Sequence, residues 1–205
     1  MSTDNKIAKR YNRIAGIYDM MEAPMENMFS KWRKNMLKGA SGKTLEVGIG
    51  TGKNIPYYHD DIELTGIDFS PKMVEMASKK AKNSENVKIL EMDAEEMEFS
   101  NDSFDTVVTS CVFCSVPHPV EGLREIRRVC KNGGKILMLE HVRSHKKIIG
   151  GLMDMFNFIP LHLYGANINR RTYENLLKAG FNPQHICVKN LWLDIVKLIE
   201  IKNVK

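Results

Sequence analysis

Short apolar runs recur along the chain from residue 44 onward, and stretches of different periodicity separate them. Runs of this length that are bounded by Gly, Pro, Asn or Asp are typical of β-strands. Their near-continuous apolar character suits strands that are buried on both faces. We therefore predict five strands, at residues 44–48, 63–68, 87–93, 104–110 and 133–142.

The stretches between these strands show helical spacing. At 70–82, Ser70 stands at an N-cap position and Pro71 follows it, an order that favours a helix start. The segment 118–130 carries one apolar stripe at helical spacing, formed by Val120, Leu123, Ile126 and Val129. Alternation of strand and helix predicts an α/β, doubly wound fold, with a mostly parallel sheet and helices on both faces.

Beyond the fifth strand the pattern changes. Residues 143–168 are basic and then apolar, with breaks at glycine and proline, and we interpret them as an insertion over the rim of the sheet. A helix is predicted at 170–181, with Gly180 as its stop signal. The runs 185–190 and 193–201 predict a closing antiparallel hairpin at one edge, which makes seven strands with an antiparallel last strand.

Residues 1–43 are predicted to form a helical arm or cap ahead of a domain at 44–205. An apolar stripe runs along the arm at spacings of three and four: Ile7, Tyr11, Ile14, Tyr18 and Met21. Another face is basic, with Lys6, Lys9, Arg10 and Arg13. Two interpretations stay open: the stripe packs on the domain, or the basic face also meets an anionic surface.

Charge is segregated along the chain. The net charge of +5 divides into +5 for residues 1–43, −6 for 44–141 and +6 for 142–205. The basic flanks either face an anionic partner or form a solvated surface. No apolar run approaches the roughly 18 residues of a membrane span, and the start MSTDNK lacks a secretory signal. We expect a soluble, cytoplasmic protein.

Four cysteines are present, at Cys111, Cys114, Cys130 and Cys187. A zinc site needs about four ligands, and no second closely spaced Cys or His pair accompanies the CVFC segment. We predict reduced thiols and no metal site.

Three glycines follow the first strand directly in LEVGIGTG: Gly48, Gly50 and Gly52. Glycine inside regular structure costs roughly 0.5 to 1 kcal/mol relative to alanine, so this loop predicts that a ligand approaches the backbone closely. Asp68 ends the second strand, where a carboxylate can accept both hydroxyls of a ribose. These features fit a cofactor that carries adenosine.

Two details favour a cationic cofactor over a dinucleotide. The dinucleotide fingerprint needs a third glycine where Lys53 stands. Glu46, Asp68 and Asp93 lie at or near three adjoining strand ends, and such acidity repels a pyrophosphate but suits a positive centre.

Four motifs resemble, in order and spacing, those of class I S-adenosylmethionine-dependent methyltransferases: LEVGIGTG, GIDFSPKMVEMA, MDAEEMEFSNDSFDTVV and LREIRRVCKNGGKILMLEH. The resemblance covers roughly residues 10 to 200. It implies a Rossmann-like fold, S-adenosylmethionine as cofactor and S-adenosylhomocysteine as product. Glu46, where many members have Asp, and the bulky Ile49, where a small residue is common, depart from the pattern.

The resemblance also implies the cofactor contacts. The methionine part is assigned to Glu46, Gly48, Gly50, Gly52 and Cys111, the ribose to Asp68, and the adenine to Phe69, Met73, Asp93 and Ala94. Tyr11 and Asn54 complete this predicted set. Alternatives are that Asp68 and Asp93 are solvated strand ends and that Met73 belongs to the core.

Methyl transfer from a sulfonium mainly requires alignment, which can contribute roughly 7 to 11 kcal/mol, so a catalytic base is needed only for a protonated acceptor. The candidate catalytic groups are Tyr18 and His141, with Tyr11 and His162 as weaker ones. Packing alone is the alternative for Tyr18, and a structural role is the alternative for His141.

The acceptor is predicted from resemblance. The arm YNRIAGIYDMM is similar to that of quinone-ring C-methyltransferases, whereas later segments look closer to bacterial phospholipid N-methyltransferases and membrane thiol methyltransferases. We expect an amphiphilic small molecule, with a phosphatidylethanolamine-type amine first, and a protein that rests on the inner, anionic face of a membrane. A thiol or quinone methyltransferase, a non-catalytic cofactor-binding module and a nucleic-acid partner are the alternatives.

Overall fold

The computed structural model of the protein describes residues 3–163 and 165–205, without the side chains of 3–10, 14–15, 17–19 and 21–22 in the first helix. The helices are α1 (Thr3–Leu37), α2 (Pro71–Ala81), α3 (Pro119–Val129), α4 (Lys147–Phe156), α5 (Phe158–Leu163) and α6 (Thr172–Lys178). The strands are β1 (Lys43–Val47), β2 (Glu63–Asp68), β3 (Val87–Glu91), β4 (Phe104–Ser110), β5 (Cys130–His141), β6 (Ile186–Trp192) and β7 (Val196–Lys202).

The strands form one sheet in the order β3-β2-β1-β4-β5-β7-β6. The pairs among β1 to β5 are parallel, and β7 lies antiparallel between β5 and β6. The strand order reverses beside β1, where the crossovers run to opposite sides, and an α/β sheet binds its ligands at such a point. The predicted α/β fold with a closing antiparallel hairpin is confirmed.

Helices cover both faces of this sheet because alternate side chains of the central strands enter two different apolar clusters. Val107 of β4 and Met138 of β5 pack in one cluster with the buried stripe of α3. Val108 and Leu137 pack in the other, with the end of α1. The predicted stripe of α3 is therefore the face that meets the sheet.

The start of β5 differs from the prediction. The strand begins at Cys130, which pairs with Phe104, and the register then shifts before Lys135 pairs with Thr106. Gly134 allows this bulge, since a Cβ there would lie 2.9 Å from the Asp105 carbonyl oxygen. Helix α3 consequently ends at Val129, one residue before the predicted end at residue 130.

Helix α1 is longer than the predicted amphipathic stripe and continues through Pro24 to Leu37. Its last turn is anchored in the core by Met36 and Leu37, which are almost completely buried. The division into an arm at 1–43 and a domain at 44–205 stays a prediction. None of the helices in the described ranges is long and apolar enough to cross a membrane.

Candidate active site

A cavity of about 360 Å³ opens where β1, β2, β4 and β5 end, a size that is ordinary for a small-ligand site. Loops after these strands form its floor, and residues of α1 form part of its wall. Eleven of the twelve predicted cofactor residues line this cavity: Tyr11, Glu46, Gly48, Gly50, Asn54, Asp68, Phe69, Met73, Asp93, Ala94 and Cys111. Gly52 lies in the same loop without lining it.

The glycine loop adopts a backbone that other residues avoid. Gly48, Gly50 and Gly52 have φ values of 68°, 57° and 78°, all in the left-handed region. At Gly52 a Cβ would lie 2.8 Å from Ile55 Cδ1 and 3.1 Å from the Ala77 Cα, so the loop packs closely on α2 there. At Gly50 nothing lies within 4 Å of a Cβ position, and the backbone faces open space.

Asp68 braces this loop. Its Oδ2 accepts a hydrogen bond from the Gly50 backbone N–H at 2.9 Å, and its Oδ1 accepts one from the Ser70 N–H at 2.9 Å. Burial raises the pKa of Asp68 to about 6, against the lowering effect of these bonds. The predicted ribose contact stays a prediction, with lone pairs of the carboxylate still available for it.

Glu46 is fully buried at the end of β1 and has two side-chain partners. Its Oε1 accepts from Asn54 Nδ2 at 2.7 Å, and its Oε2 accepts from the Tyr58 hydroxyl at 3.0 Å. Burial raises the pKa of Glu46 to about 7, although both hydrogen bonds and the nearby Arg33 charge oppose this shift. Asn54 is also buried, and its Oδ1 has no partner among the described residues.

The far wall of the cavity comes from the ends of β2, β3 and β4. Phe69 and Met73 present apolar surface, while Asp93 is exposed and its Oδ1 accepts from the Glu95 backbone N–H at 2.8 Å. Cys111 has a φ of 57°, an uncommon value for a residue with a side chain. The buried Glu140 supports this turn, since its carboxylate accepts hydrogen bonds from Thr109 Oγ1 and from the backbone N–H groups of Val112 and Phe113.

Helix α1 crosses over the side of the cavity near Phe69 and Ser70. The rings of Tyr11 and Phe69 meet edge to face with centroids 5.7 Å apart, and the Tyr11 hydroxyl is hydrogen-bonded to Ser115 Oγ. Asn12 Oδ1 accepts from Ser70 Oγ at 2.7 Å. These contacts make the arm part of the site. The side chain of Tyr18, one of the two catalytic candidates, lies outside the described residues.

His141, the other catalytic candidate, lines the cavity at the end of β5. Its Nδ1 is buried and has no hydrogen-bond partner within the described part of the chain. Burial lowers the pKa of His141, so the ring is neutral near pH 7 and its unprotonated nitrogen can accept a proton. Its role as a base stays a prediction.

Sequence reasoning missed the second half of α1. Met25, Glu26, Phe29 and Arg33 line the cavity, and three of them recur at spacings of four, which places them on one helical face. That spacing was the available signal, but the interpreted stripe stopped at Met21. The four cysteines form no disulfide bonds, and the described residues contain no group of three or more His, Cys, Asp or Glu that could hold a metal.

Comparison with known proteins identifies the family. Residues 45–138 match the family model described as a methyltransferase domain. Over 143 residues the chain is 35% identical to a phosphatidylethanolamine N-methyltransferase from Cereibacter sphaeroides. The aligned region covers 68% of this chain and 70% of that relative. The chain belongs to the S-adenosylmethionine-dependent methyltransferases.

This methyltransferase has further relatives. It is 29% identical over 186 residues to a demethylmenaquinone methyltransferase from Staphylococcus aureus, over 86% of this chain and 75% of that one. An S-adenosylmethionine-dependent methyltransferase from Thermotoga maritima has the same fold, with a TM-score of 0.74 at 19% identity, over 96% of this chain and 99% of that one.

The residues of the cavity fit S-adenosylmethionine, the cofactor of this family. Glu46 and the unpartnered Asn54 Oδ1 offer acceptors for an ammonium group. The open backbone at Gly50 leaves room for the ligand, and Asp68 and Asp93 supply carboxylates beside it. A cationic ligand compensates the buried negative charge.

The buried carboxyl groups predict how stability of the ligand-free methyltransferase depends on pH. Glu46 has its pKa raised from 4.5 to about 7 in the folded state, so the folded state binds more protons than the unfolded state in this range. Its contribution is complete below about pH 4.5 and is lost as the pH rises through 7, by up to about 3 kcal/mol. Asp68 and Glu140 act in the same direction.

We therefore expect Glu46→Gln to flatten the fall in the free energy of unfolding between pH 5 and pH 8, measured by urea denaturation. Glu63→Gln is the matched control, because Glu63 is an exposed carboxylate at the start of β2. Parallel curves for wild type and Glu46→Gln would contradict the assignment.

Proposed function

We propose that this methyltransferase transfers a methyl group to the amine of a phospholipid headgroup of the phosphatidylethanolamine type, at the surface of an anionic membrane. The observation that carries the proposal is an exposed apolar surface beside the cavity, on α4 and α5. The similarity to a phosphatidylethanolamine N-methyltransferase supports the same acceptor.

The surface on α4 and α5, here called the apolar platform, consists of seven exposed side chains: Ile148, Leu152, Met155, Phe156, Phe158, Ile159 and Leu163. Ile148 is 80% exposed and Phe158 is 57% exposed. Lys146 and Lys147 are exposed at its start. Apolar side chains with cations beside them are the composition of helices that lie in the interface of an anionic membrane.

The platform is held rigidly on the protein body. The Arg143 Nε–H is shared between both oxygens of the Asp154 carboxylate, and Nη2 donates to Oδ2, at 2.8 to 3.0 Å. Gly150 lets α4 approach closely, because a Cβ there would lie 2.6 Å from the Ser144 carbonyl oxygen. The apolar side chains are therefore left facing outward by the packing of α4.

The platform is also connected to the wall of the cavity. Asn157, between α4 and α5, donates to Asn167 Oδ1 at 2.9 Å, and the Asn167 N–H donates to the Cys114 carbonyl at 2.8 Å. Cys114 directly precedes Ser115, which lines the cavity. A lipid whose tails lie near the platform can present its headgroup to this opening.

S-adenosylmethionine supplies, when bound, a methyl group on a sulfonium whose leaving group departs neutral. The chain has to hold the acceptor in line, exclude water and receive the proton that an ammonium acceptor must lose. His141 Nδ1 is the candidate acceptor of that proton, because burial keeps the ring neutral and the nitrogen has no partner within the described residues.

A second candidate is methylation of a quinone ring carbon. The similarity to a demethylmenaquinone methyltransferase extends over 86% of the chain, more than the 68% matched by the phospholipid enzyme. A quinone is also amphiphilic, so the apolar platform suits either acceptor. The two candidates are distinguished by the atom that receives the methyl group, which is an amine nitrogen in the first and a ring carbon in the second.

We expect tritium transfer from labelled S-adenosylmethionine to phosphatidylethanolamine in mixed vesicles, in preference to demethylmenaquinone and to a panel of thiols. Product chromatography identifies the labelled lipid. Asp68→Ala serves as the blank, because loss of its bonds to Gly50 and Ser70 removes the support of the glycine loop. Label on the quinone alone would establish the second candidate instead.

His141→Gln is expected to lower kcat for the amine acceptor by about 10²- to 10⁴-fold, because the proton acceptor is lost. Binding of S-adenosylhomocysteine should be unchanged in calorimetry. His162→Gln is the control, since His162 is exposed on α5. If His141→Gln had the wild-type kcat at every pH from 6 to 9, a role of His141 as a base would be excluded.

Sedimentation with vesicles of phosphatidylglycerol and phosphatidylcholine tests the membrane contact. We expect wild type to bind at low salt. The double variant Ile148→Gln, Phe158→Gln should bind at least about tenfold more weakly, because two apolar side chains no longer leave water. Val188→Gln, at an exposed position on β6, is the matched control. Wild type remaining in the supernatant at low salt would count decisively against the contact.

A further inference from the structure

Arg33 is a buried cation in the wall of the cavity. It lies in the second half of α1, is 5% exposed and forms an ion pair with Glu26 through Nη2. Its Nε is buried and has no hydrogen-bond partner among the described residues. A buried guanidinium with an unused donor requires an anionic or polar partner.

Lys53 approaches the same carboxylate from the glycine loop. Its Nζ lies 3.4 Å from Glu26 Oε2, and its side chain is 17% exposed. Glu26 thus lies between two cations, and all three residues line the cavity. The arrangement has the chemistry of a carboxylate-binding site in which a side chain of the protein supplies the carboxylate.

Acceptors for an ammonium group are adjacent to these cations. Asn54 follows Lys53 in the sequence, and it is bonded to Glu46, on which the Arg33 charge acts electrostatically. An α-amino acid carries its ammonium and carboxylate on one carbon. Recognition of such a zwitterion requires both acceptors and cations, and residues of both kinds line the cavity.

We propose that Arg33 and Lys53 bind the α-carboxylate of the methionine part of S-adenosylmethionine, and that Glu26 occupies this position in the ligand-free protein. Glu26 leaves when the cofactor enters, so one carboxylate replaces another and the two cations stay paired. The Glu26 side chain is 33% exposed, which gives it a short path to water. Its competition sets the affinity for the cofactor.

Titration calorimetry with two ligands tests this inference. S-adenosylhomocysteine has the carboxylate, whereas its decarboxylated analogue retains the amine and lacks only that group. We expect wild type to bind S-adenosylhomocysteine about tenfold more tightly than the analogue, as one charged hydrogen-bonded contact warrants. Arg33→Gln and Lys53→Gln should each reduce this ratio towards one.

Glu26→Gln should act in the opposite direction and increase the ratio by several-fold, because the competing carboxylate is gone. If Glu26 had only a structural role, Glu26→Gln would lower the affinity for both ligands equally. Lys34→Gln is the matched control, since it removes one positive charge from an exposed position on the same helix, and the ratio should stay at the wild-type value.

Equal affinities of wild type for the two ligands, or an unchanged ratio in Lys53→Gln, would overturn the proposal. Lys53→Gln decides the outcome if thermal unfolding shows that Arg33→Gln does not fold, because Lys53 lies in a loop and is partly exposed. The measurement uses no acceptor, so its result is independent of the acceptor proposed above.

Discussion

The hydrogen bond from the Gly50 backbone N–H to the Asp68 carboxylate joins the two strand ends on which the site is built. A buried carboxylate is unfavourable unless donors surround it, and the left-handed backbone of the glycine loop directs its N–H toward Asp68. The Ile49 N–H also donates to the Ile67 carbonyl at 2.9 Å. The conformation of the loop and the position of Asp68 therefore depend on each other.

Carboxylates and cations both line the cavity beside this hydrogen bond. The carboxylates of Glu46, Asp68 and Asp93 line the cavity and belong to the acidic middle of the chain. Among the described residues that line the cavity, the cations are Arg33, from α1, and Lys53, from the glycine loop. A chain with a positive net charge thus contains a cavity whose described lining has four carboxylates and two cations.

Most of the fold follows from periodicity, and part of the site does not. The glycine spacing and the acid at the end of β2 predicted a ligand-binding loop, because both depend on residues close in sequence. The contact between Glu26 and Lys53 joins residues 27 positions apart, and that of Tyr11 with Ser115 joins residues 104 apart. No local pattern specifies which face of a long helix meets a distant loop. The bulge before Lys135 was missed for the same reason, since it depends on the partner strand.

The placement of β7 between β5 and β6 separates the order of synthesis from the order of assembly. Until β7 is inserted, β6 lacks the neighbour it pairs with, and one side of β5 is an open edge. Such edges are templates for pairing with other chains. A partly folded chain in which β7 is not yet inserted is consequently the form most prone to aggregate, and the sheet closes only when that strand inserts.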